Sequence, residues 1–152
     1  MEYTQPGAND LLQEYFIPLE SFDTFVGRLE QIVEEEQLNL LNITIRYVSK
    51  DEEAVLSYAK EDMLALVCLF HAPLSKKGQL KMRQGVRQII DEVIANGGSY
   101  YLPYIAYPTL EQFQAVYPGY DRFFVLKQQY DPSGLFMNQF YYQYGLGRLE
   151  EE

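Results

Sequence analysis

The sequence predicts an α+β fold with the element order β-α-β-β-α-β, the ferredoxin-like arrangement in which an antiparallel sheet carries two helices on one face. Two segments, 22–33 and 82–94, repeat apolar residues with the period of an amphipathic helix. Segment 41–48 alternates apolar and polar residues like a half-buried strand, and segment 63–72 is nearly all apolar. Two shorter apolar segments flank these four and complete the order.

The first strand is predicted at residues 14–19, which are rich in aromatic and β-branched residues and carry Pro18 near their end. Residues 1–13 hold several turn formers and are predicted to be a lead-in segment. The first helix follows from Phe22, with Ser21 placed to cap its first turn. Its predicted apolar face consists of Phe22, Phe25, Val26, Leu29, Ile32 and Val33.

The second strand, 41–48, is predicted to have one apolar face and one face with polar groups. The apolar face consists of Ile43, Ile45 and Tyr47, and the other face of Thr44, Arg46 and Val48. The third strand, 63–72, is predicted to be central and covered on both faces, because almost all of its residues are apolar.

The second helix has an apolar face and ends at the stop signal Asn96-Gly97-Gly98. Its apolar residues are Met82, Val86, Ile89, Ile90, Val93 and Ile94. The fourth strand is predicted at 99–106, either broken or at an edge of the sheet because of Pro103. The sheet face without helices would be exposed to solvent, pair with a second copy, or cover part of a larger protein.

The residues after 107 are predicted to add two helices and an aromatic tail. Thr109 and Gln112 form a candidate capping box for the first of these helices, and the second, at 120–130, ends at a run of turn formers. The tail at 135–144 is so rich in aromatic rings that we expect it to pack against another surface.

The composition excludes several classes of partner. With 12 basic and 22 acidic residues, the chain has a formal charge of −10, which repels nucleic acid and anionic lipid. No apolar run approaches the roughly 20 residues of a membrane span, and no export signal precedes the first strand. The single cysteine, Cys68, cannot form an internal disulfide, which favours the reducing cytoplasm.

The sequence patterns of nucleotide, metal and nucleophile sites are missing. Gly97 and Gly98 follow a helix and precede a strand, the reverse of a phosphate-binding loop. His71, the single histidine, stands near the end of an apolar strand. No metal site or Cys–His nucleophile pair is predicted there, and a structural role is favoured.

Arg46 and the late tyrosines are the candidate binding residues. Arg46 is charged and central in a strand, so it is either a solvent-facing edge residue or a ligand for a polar or anionic substrate group. Ten of the fourteen tyrosines lie from Tyr100 onwards, and a tyrosine suits a core, a ligand pocket or a wet interface. Tyr101 and Tyr104, on the last predicted strand, are candidates for a pocket wall.

Four segments together resemble the C-terminal part of FAD-linked oxidoreductases with the vanillyl-alcohol oxidase fold. They are QEYFIP at 13–18, IRYVSKDEEAVLSYAKED at 45–62, GGSYYLPY at 97–104 and LKQQYDPSGLFMNQF at 126–140. The last contains the motif YDP-x-x-x-F-x-N, formed by Tyr130, Asp131, Pro132, Phe136 and Asn138. The resemblance extends over residues 13–145 and is to the branch that holds alditol oxidase, the aldonolactone oxidases and the sterol Δ24-reductase.

In that family an N-terminal domain binds FAD, and a cap domain covers the flavin and shapes the substrate pocket. The resemblance implies that residues 14–107 form the cap and that residues 108–152 return to an FAD-binding domain outside this chain. That domain would hold most of the cofactor and contact Phe136 and Asn138.

The reaction that the resemblance implies is hydride transfer from a C–H bond of a hydroxylated or largely apolar substrate to flavin, with no activity of the chain alone. The alternative is a free-standing ferredoxin-like module that binds a small ligand or dimerises without catalysis. Such a module has little use for residues 109–144.

The resemblance also implies a set of substrate-binding residues. The family's Glu-x-Arg pair falls on the second strand, where Arg46 matches the arginine and Thr44 replaces the glutamate. A His and a Thr of the family fall near Val67 and Leu69, and its His-Trp-Gly-Lys stretch falls at 101–104 without the lysine. The implied pocket is therefore more apolar and aromatic than a sugar site. Its residues are Arg46, Thr44, Val67, Leu69, Tyr101 and Tyr104, with no assigned catalytic residue and no metal.

Overall fold

The computed structural model describes residues 7–147. Its main elements are β1 (Ala8–Pro18), α1 (Phe22–Glu35), β2 (Leu40–Val48), β3 (Met63–Pro73), α2 (Lys76–Ala95), β4 (Ser99–Tyr100), α3 (Leu110–Val116) and α4 (Tyr120–Tyr130). The strands form one antiparallel sheet in the order β2-β3-β1-β4. This order and the two helices packed on one face confirm the predicted ferredoxin-like α+β fold.

α1 and α2 enclose the main core against one face of the sheet. Their buried side chains pack in one cluster with Tyr15 of β1 and with Leu66 and Phe70 of β3. The helical residues of that cluster are Phe25, Leu29, Ile32, Met82, Val86, Ile89, Ile90 and Val93. Burial of one such side chain contributes about 1.5–3 kcal/mol, so this interface fixes both helices on the same face.

The two long helices begin in different ways. Ser75 caps α2, because its hydroxyl accepts a hydrogen bond from the Gly78 amide at 3.1 Å. Ser21 precedes α1, but its side chain makes no capping hydrogen bond. A 3₁₀ turn at Leu19–Ser21 leads directly into α1, so Ser21 already has helical backbone angles and the predicted side-chain cap is wrong.

β1 begins at Ala8 and not at residue 14 as the sequence predicts. It pairs with β3 along its whole length, with Ala8 opposite Pro73 and Pro18 opposite Met63. This pairing outweighs the local preference of the turn formers for irregular structure. Residues 8–13 of the predicted lead-in segment are therefore strand, while the first six residues lie outside the described residues.

β4 contains only two residues, although the sequence predicts a strand over 99–106. Tyr101 still donates its amide N–H to the carbonyl oxygen of Glu14 at 3.0 Å. Pro103 has no N–H with which to continue the ladder. The chain therefore leaves the sheet after Tyr101 and reaches α3 through a loop.

The outer faces of β2 and β3 are less covered than the sequence predicts. On the face of β3 away from the helices, Ala65 is buried with Phe16, but Val67 and Leu69 are only partly covered. β2 is an edge strand, and its apolar residues Ile45 and Tyr47 are 54% and 57% exposed. The helices do not reach these side chains.

The C-terminal segment packs on the same core. The predicted capping box is present at α3, where Thr109 and Gln112 exchange hydrogen bonds of 3.0 and 3.2 Å. Tyr144 stacks on Phe113 with a centroid separation of 4.4 Å, so part of the aromatic tail packs against this chain itself. Residues 148–152 of the tail lie outside the described residues. No helix within residues 7–147 combines the length and apolarity needed to cross a membrane.

Candidate functional site

The sheet face opposite the helices carries the candidate site, and we call it the open face. Alternation along the strands directs every second side chain to this face. The register places Thr44 of β2 opposite Val67 of β3, which in turn lies opposite Glu14 of β1. The open face consists of Leu12, Glu14, Phe16, Asn42, Thr44, Arg46, Ala65, Val67 and Leu69.

Arg46 and Glu14 form an ion pair across the open face, with β3 between their strands. Nε of Arg46 donates to Oε1 of Glu14 at 3.1 Å, and Nη2 donates to the same oxygen. The Glu14 side chain is 2% exposed, whereas that of Arg46 is 58% exposed. The hydrogen bond and the charge of Glu14 raise the pKa of Arg46. The open face thus holds a fixed, permanently charged guanidinium with one side toward solvent.

Four aromatic rings lie beside this ion pair. Tyr58, from the connection between β2 and β3, stacks on Phe16 with a centroid separation of 4.3 Å. Tyr101 meets the edge of Tyr58 at 5.9 Å, and Tyr104 meets Tyr101 at 5.1 Å. Partial burial, and secondarily the negative charge of Glu14, raises the pKa of Tyr104. These rings form an aromatic wall with neutral hydroxyl groups next to Arg46.

His71 lies on the same sheet face, farther along β3. Its Nδ1 is 2.6 Å from Oδ1 of Asp10, the residue opposite it in the register. Four residues of strand, or about 13 Å, separate this pair from Val67 and Glu14. Within residues 7–147 no three histidine, cysteine, aspartate or glutamate side chains are grouped as metal ligands.

Cys68 points to the opposite side of β3, into the main core. Burial raises the pKa of its thiol to about 12. The protonated thiol is a poor nucleophile, and Cys68 therefore serves as a small apolar core residue.

The structure brings the sequence-predicted substrate residues to one surface. Thr44, Arg46, Val67 and Leu69 lie on the open face through β2 and β3, and the loop after β4 adds the two tyrosines, 101 and 104. Their role in binding stays a prediction. Sequence reasoning missed Glu14 and Tyr58 as members of the site. A charged residue inside the aromatic strand segment EYFIP was the available signal for Glu14.

The YDP motif builds a tight turn after α4. Both carboxylate oxygens of Asp131 accept backbone N–H bonds of 2.9 Å, one from Leu135 and one from Phe136. Lys127 adds an ion pair, and these interactions lower the pKa of Asp131 to about 2, with the Lys127 hydrogen bond as the largest cause. Asn138 accepts a hydrogen bond from the Tyr141 amide at 2.9 Å. The turn holds Leu135 and Phe136 at 78% and 77% exposure.

An apolar groove of about 500 Å³ lies elsewhere, between α4 and the connection that follows β2. It is lined by Ala54, Val55, Leu56, Phe123, Leu126, Lys127 and Tyr130. None of the sequence-predicted substrate residues borders it.

Comparison with known proteins places the chain among the FAD-linked oxidases. A family model described as D-arabinono-1,4-lactone oxidase matches residues 9–144, and the chain belongs to that family. The match confirms the resemblance to the aldonolactone oxidases that the four sequence segments indicate. No curated protein matches the chain.

Proposed function

We propose that this chain is the substrate-binding cap and C-terminal portion of an FAD-dependent oxidoreductase that oxidises a hydroxylated or largely apolar substrate. The observation that carries the proposal is the guanidinium of Arg46, which Glu14 fixes in place and which is half exposed on the open face. The single, buried Cys68 supports a reducing compartment and therefore the cytoplasm.

Each proposed substrate residue has a physical task. Arg46 donates hydrogen bonds to a substrate oxygen, and the hydroxyl of Thr44 lies one alternate position away on the same strand face. Val67 and Leu69 provide an apolar floor. The rings of Tyr101 and Tyr104 bound the site on one side and suit the apolar faces of a ring-shaped or extended substrate.

The residues of this chain fit a role beside FAD but offer no cradle for its phosphates within residues 7–147. The glycine pair before β4 is tightly packed, since a Cβ on Gly98 would lie 2.6 Å from the carbonyl oxygen of Phe16. An FAD-binding domain outside this chain would therefore hold most of the cofactor. The exposed Leu135 and Phe136 provide apolar surface for that domain, with Asn138 ordering the segment behind them.

When bound, the flavin supplies the acceptor for the hydride that leaves the substrate carbon. The tasks of this chain are to hold the substrate oxygen at Arg46, to orient the carbon that is oxidised, and to exclude water with the aromatic wall. The chain alone would then bind a substrate without transforming it.

The first experiment is an absorbance scan and FAD titration of the purified chain, followed by the same scan after mixing with a candidate FAD-binding domain. We expect no flavin uptake by the chain alone and flavin-dependent oxidation by the mixture. Tight FAD binding by the chain itself would contradict the assignment of the cofactor to another domain. A dimer that binds a small ligand, with no oxidation in any mixture, would instead support the free-standing module.

A further inference from the structure

Glu14 lies at the centre of the open face, yet its burial separates its task from that of Arg46. Because its side chain is 2% exposed, a ligand on the open face meets the guanidinium and not the carboxylate. Any influence of Glu14 on a ligand therefore passes through Arg46.

The geometry of the pair restricts the guanidinium. A guanidinium has five N–H donors, and two of them, on Nε and Nη2, are directed to Oε1 of Glu14. Two bonds from one planar head to a buried anchor hold that head in a single orientation. The three other donors remain for a ligand at a defined position.

The charges of the pair also cancel. The positive charge of Arg46 lies within hydrogen-bond distance of the negative charge of Glu14, so an approaching carboxylate is attracted by one and repelled by the other. The oxygen of a neutral hydroxyl or carbonyl group still receives the hydrogen bonds and experiences no such repulsion. Tyr58 and Tyr104, which lie close to the pair, add no formal charge while protonated.

We propose that Glu14 is a positioning and specificity-determining residue, which orients Arg46 and neutralises it so that the open face accepts a neutral substrate oxygen in preference to a carboxylate. This inference rests on the proposed function of the open face as a substrate site. It also accounts for the acid that the second strand lacks at Thr44, because the acid comes from β1.

The orientation is tested by nitrogen-15 NMR of the Arg46 Nε–H group, assigned through its loss in Arg46→Lys. In Glu14→Gln we expect the exchange of this proton with solvent to become at least about tenfold faster. Asp10→Asn is the matched control, because Asp10 lies on the same strand and sheet face but contacts His71. An unchanged Arg46 signal in folded Glu14→Gln would overturn the positioning role and leave the proposed function standing.

The specificity is tested with two probes of one carbon skeleton, D-arabinono-1,4-lactone and its open-chain aldonate, titrated into the full chain by NMR. The ratio of aldonate affinity to lactone affinity should rise about tenfold in Glu14→Gln and stay constant in Asp10→Asn. A constant ratio in Glu14→Gln would overturn the specificity role. Failure of the wild-type chain to bind either probe would overturn the proposed substrate site itself.

Glu14→Asp provides the second variant if Glu14→Gln fails to fold. Its carboxylate keeps the charge but is one methylene too short to hold both N–H groups. We expect faster exchange at Arg46 with no change in the affinity ratio. Full protection of Arg46 in Glu14→Asp would contradict the inference.

Discussion

At the scale of single residues, burial divides the work between Arg46 and Glu14. An exposed ion pair contributes little to stability, typically 0–1 kcal/mol, and the solvent on one side of Arg46 places this pair near that limit. The same exposure makes the arginine available to a ligand. The pair is thus better suited to binding than to holding the sheet together.

Arg46→Ala in the flavoenzyme that contains this chain should lower kcat/KM by about 10- to 100-fold. The reason is the loss of a hydrogen bond from a charged donor, which contributes about 1.5–3 kcal/mol. Steady-state kinetics measure the effect. Arg28→Ala is the matched control, because Arg28 pairs with Glu92 on the helical side of the molecule. Unchanged kcat and KM in Arg46→Ala would remove this residue from the substrate site.

Asp131 gives a prediction with a defined pH range. Its folded-state pKa of about 2 lies below the value of about 3.9 for an unfolded aspartate. A depressed pKa stabilises the fold above the unfolded pKa, and that contribution is lost as the pH falls through the folded pKa. The difference in Tm between wild type and Asp131→Asn should therefore be constant above about pH 4 and shrink toward pH 2.

Thermal unfolding at a series of pH values measures this difference, which we expect to be roughly 2–4 °C at pH 7. Asp121→Asn removes an exposed carboxylate from the same helix and is the control. A gap between wild type and Asp131→Asn that stays constant down to pH 2 would show that the carboxylate charge does not hold the turn.

At the scale of elements, β2 shows the difference between an apolar pattern and actual burial. Its alternation correctly predicts a strand, and on that pattern Ile43, Ile45 and Tyr47 should be covered. β2 occupies an edge of the sheet, beyond the reach of α1 and α2, and these side chains remain largely exposed. Their contribution to the stability of this chain is accordingly small.

The matched substitutions Ile45→Ala and Ile89→Ala test this conclusion. Ile89 is fully buried under the sheet, so its truncation should cost about 2–5 kcal/mol. Ile45 is 54% exposed, and its truncation should cost less than about 1 kcal/mol. Urea unfolding gives both values. Equal costs would mean that another surface covers β2 in solution.

At the scale of the whole molecule, the C-terminal segment completes the core that the sheet and the two long helices begin. Phe113, Val116, Tyr117 and Tyr144 belong to the same buried cluster as the helical side chains. The Tyr117 hydroxyl also donates to the carbonyl oxygen of Tyr100, at the end of β4. The division of the chain at residue 107 stays a prediction about function, because one continuous core crosses that boundary.

Two phenylalanines separate the internal and external surfaces of this segment. Phe113→Ala should cost about 3–5 kcal/mol, because Phe113 is fully buried among other rings. Phe136→Ala should leave the unfolding free energy within about 0.5 kcal/mol, since its ring is 77% exposed. Chemical denaturation measures both. In mixtures with an FAD-binding domain, the order should reverse, and a folded Phe136→Ala variant should bind more weakly. Unaltered binding by that variant would contradict the docking role.

Much of the fold could be predicted because helices and strands leave a local periodic signature. The first helix begins at Phe22 as predicted, and the third strand begins at Met63 as predicted. Arg46 was also identifiable as a binding residue, since a charge in the middle of an otherwise apolar strand is visible without any partner. The true start of β1 at Ala8 was not, because β3 stabilises that end through backbone hydrogen bonds that side-chain patterns do not record.

The sequence by itself determined the α+β class, the element order and the family, which depend on periodicity and on motifs that are contiguous along the chain. Only the tertiary structure decided that Glu14 lies against Arg46, 32 residues away, and that the apolar side of β2 is exposed. The physical reason is that ion pairing and burial depend on strand order and register. Those are set by long-range contacts among β1, β2 and β3, which no local segment of the chain encodes.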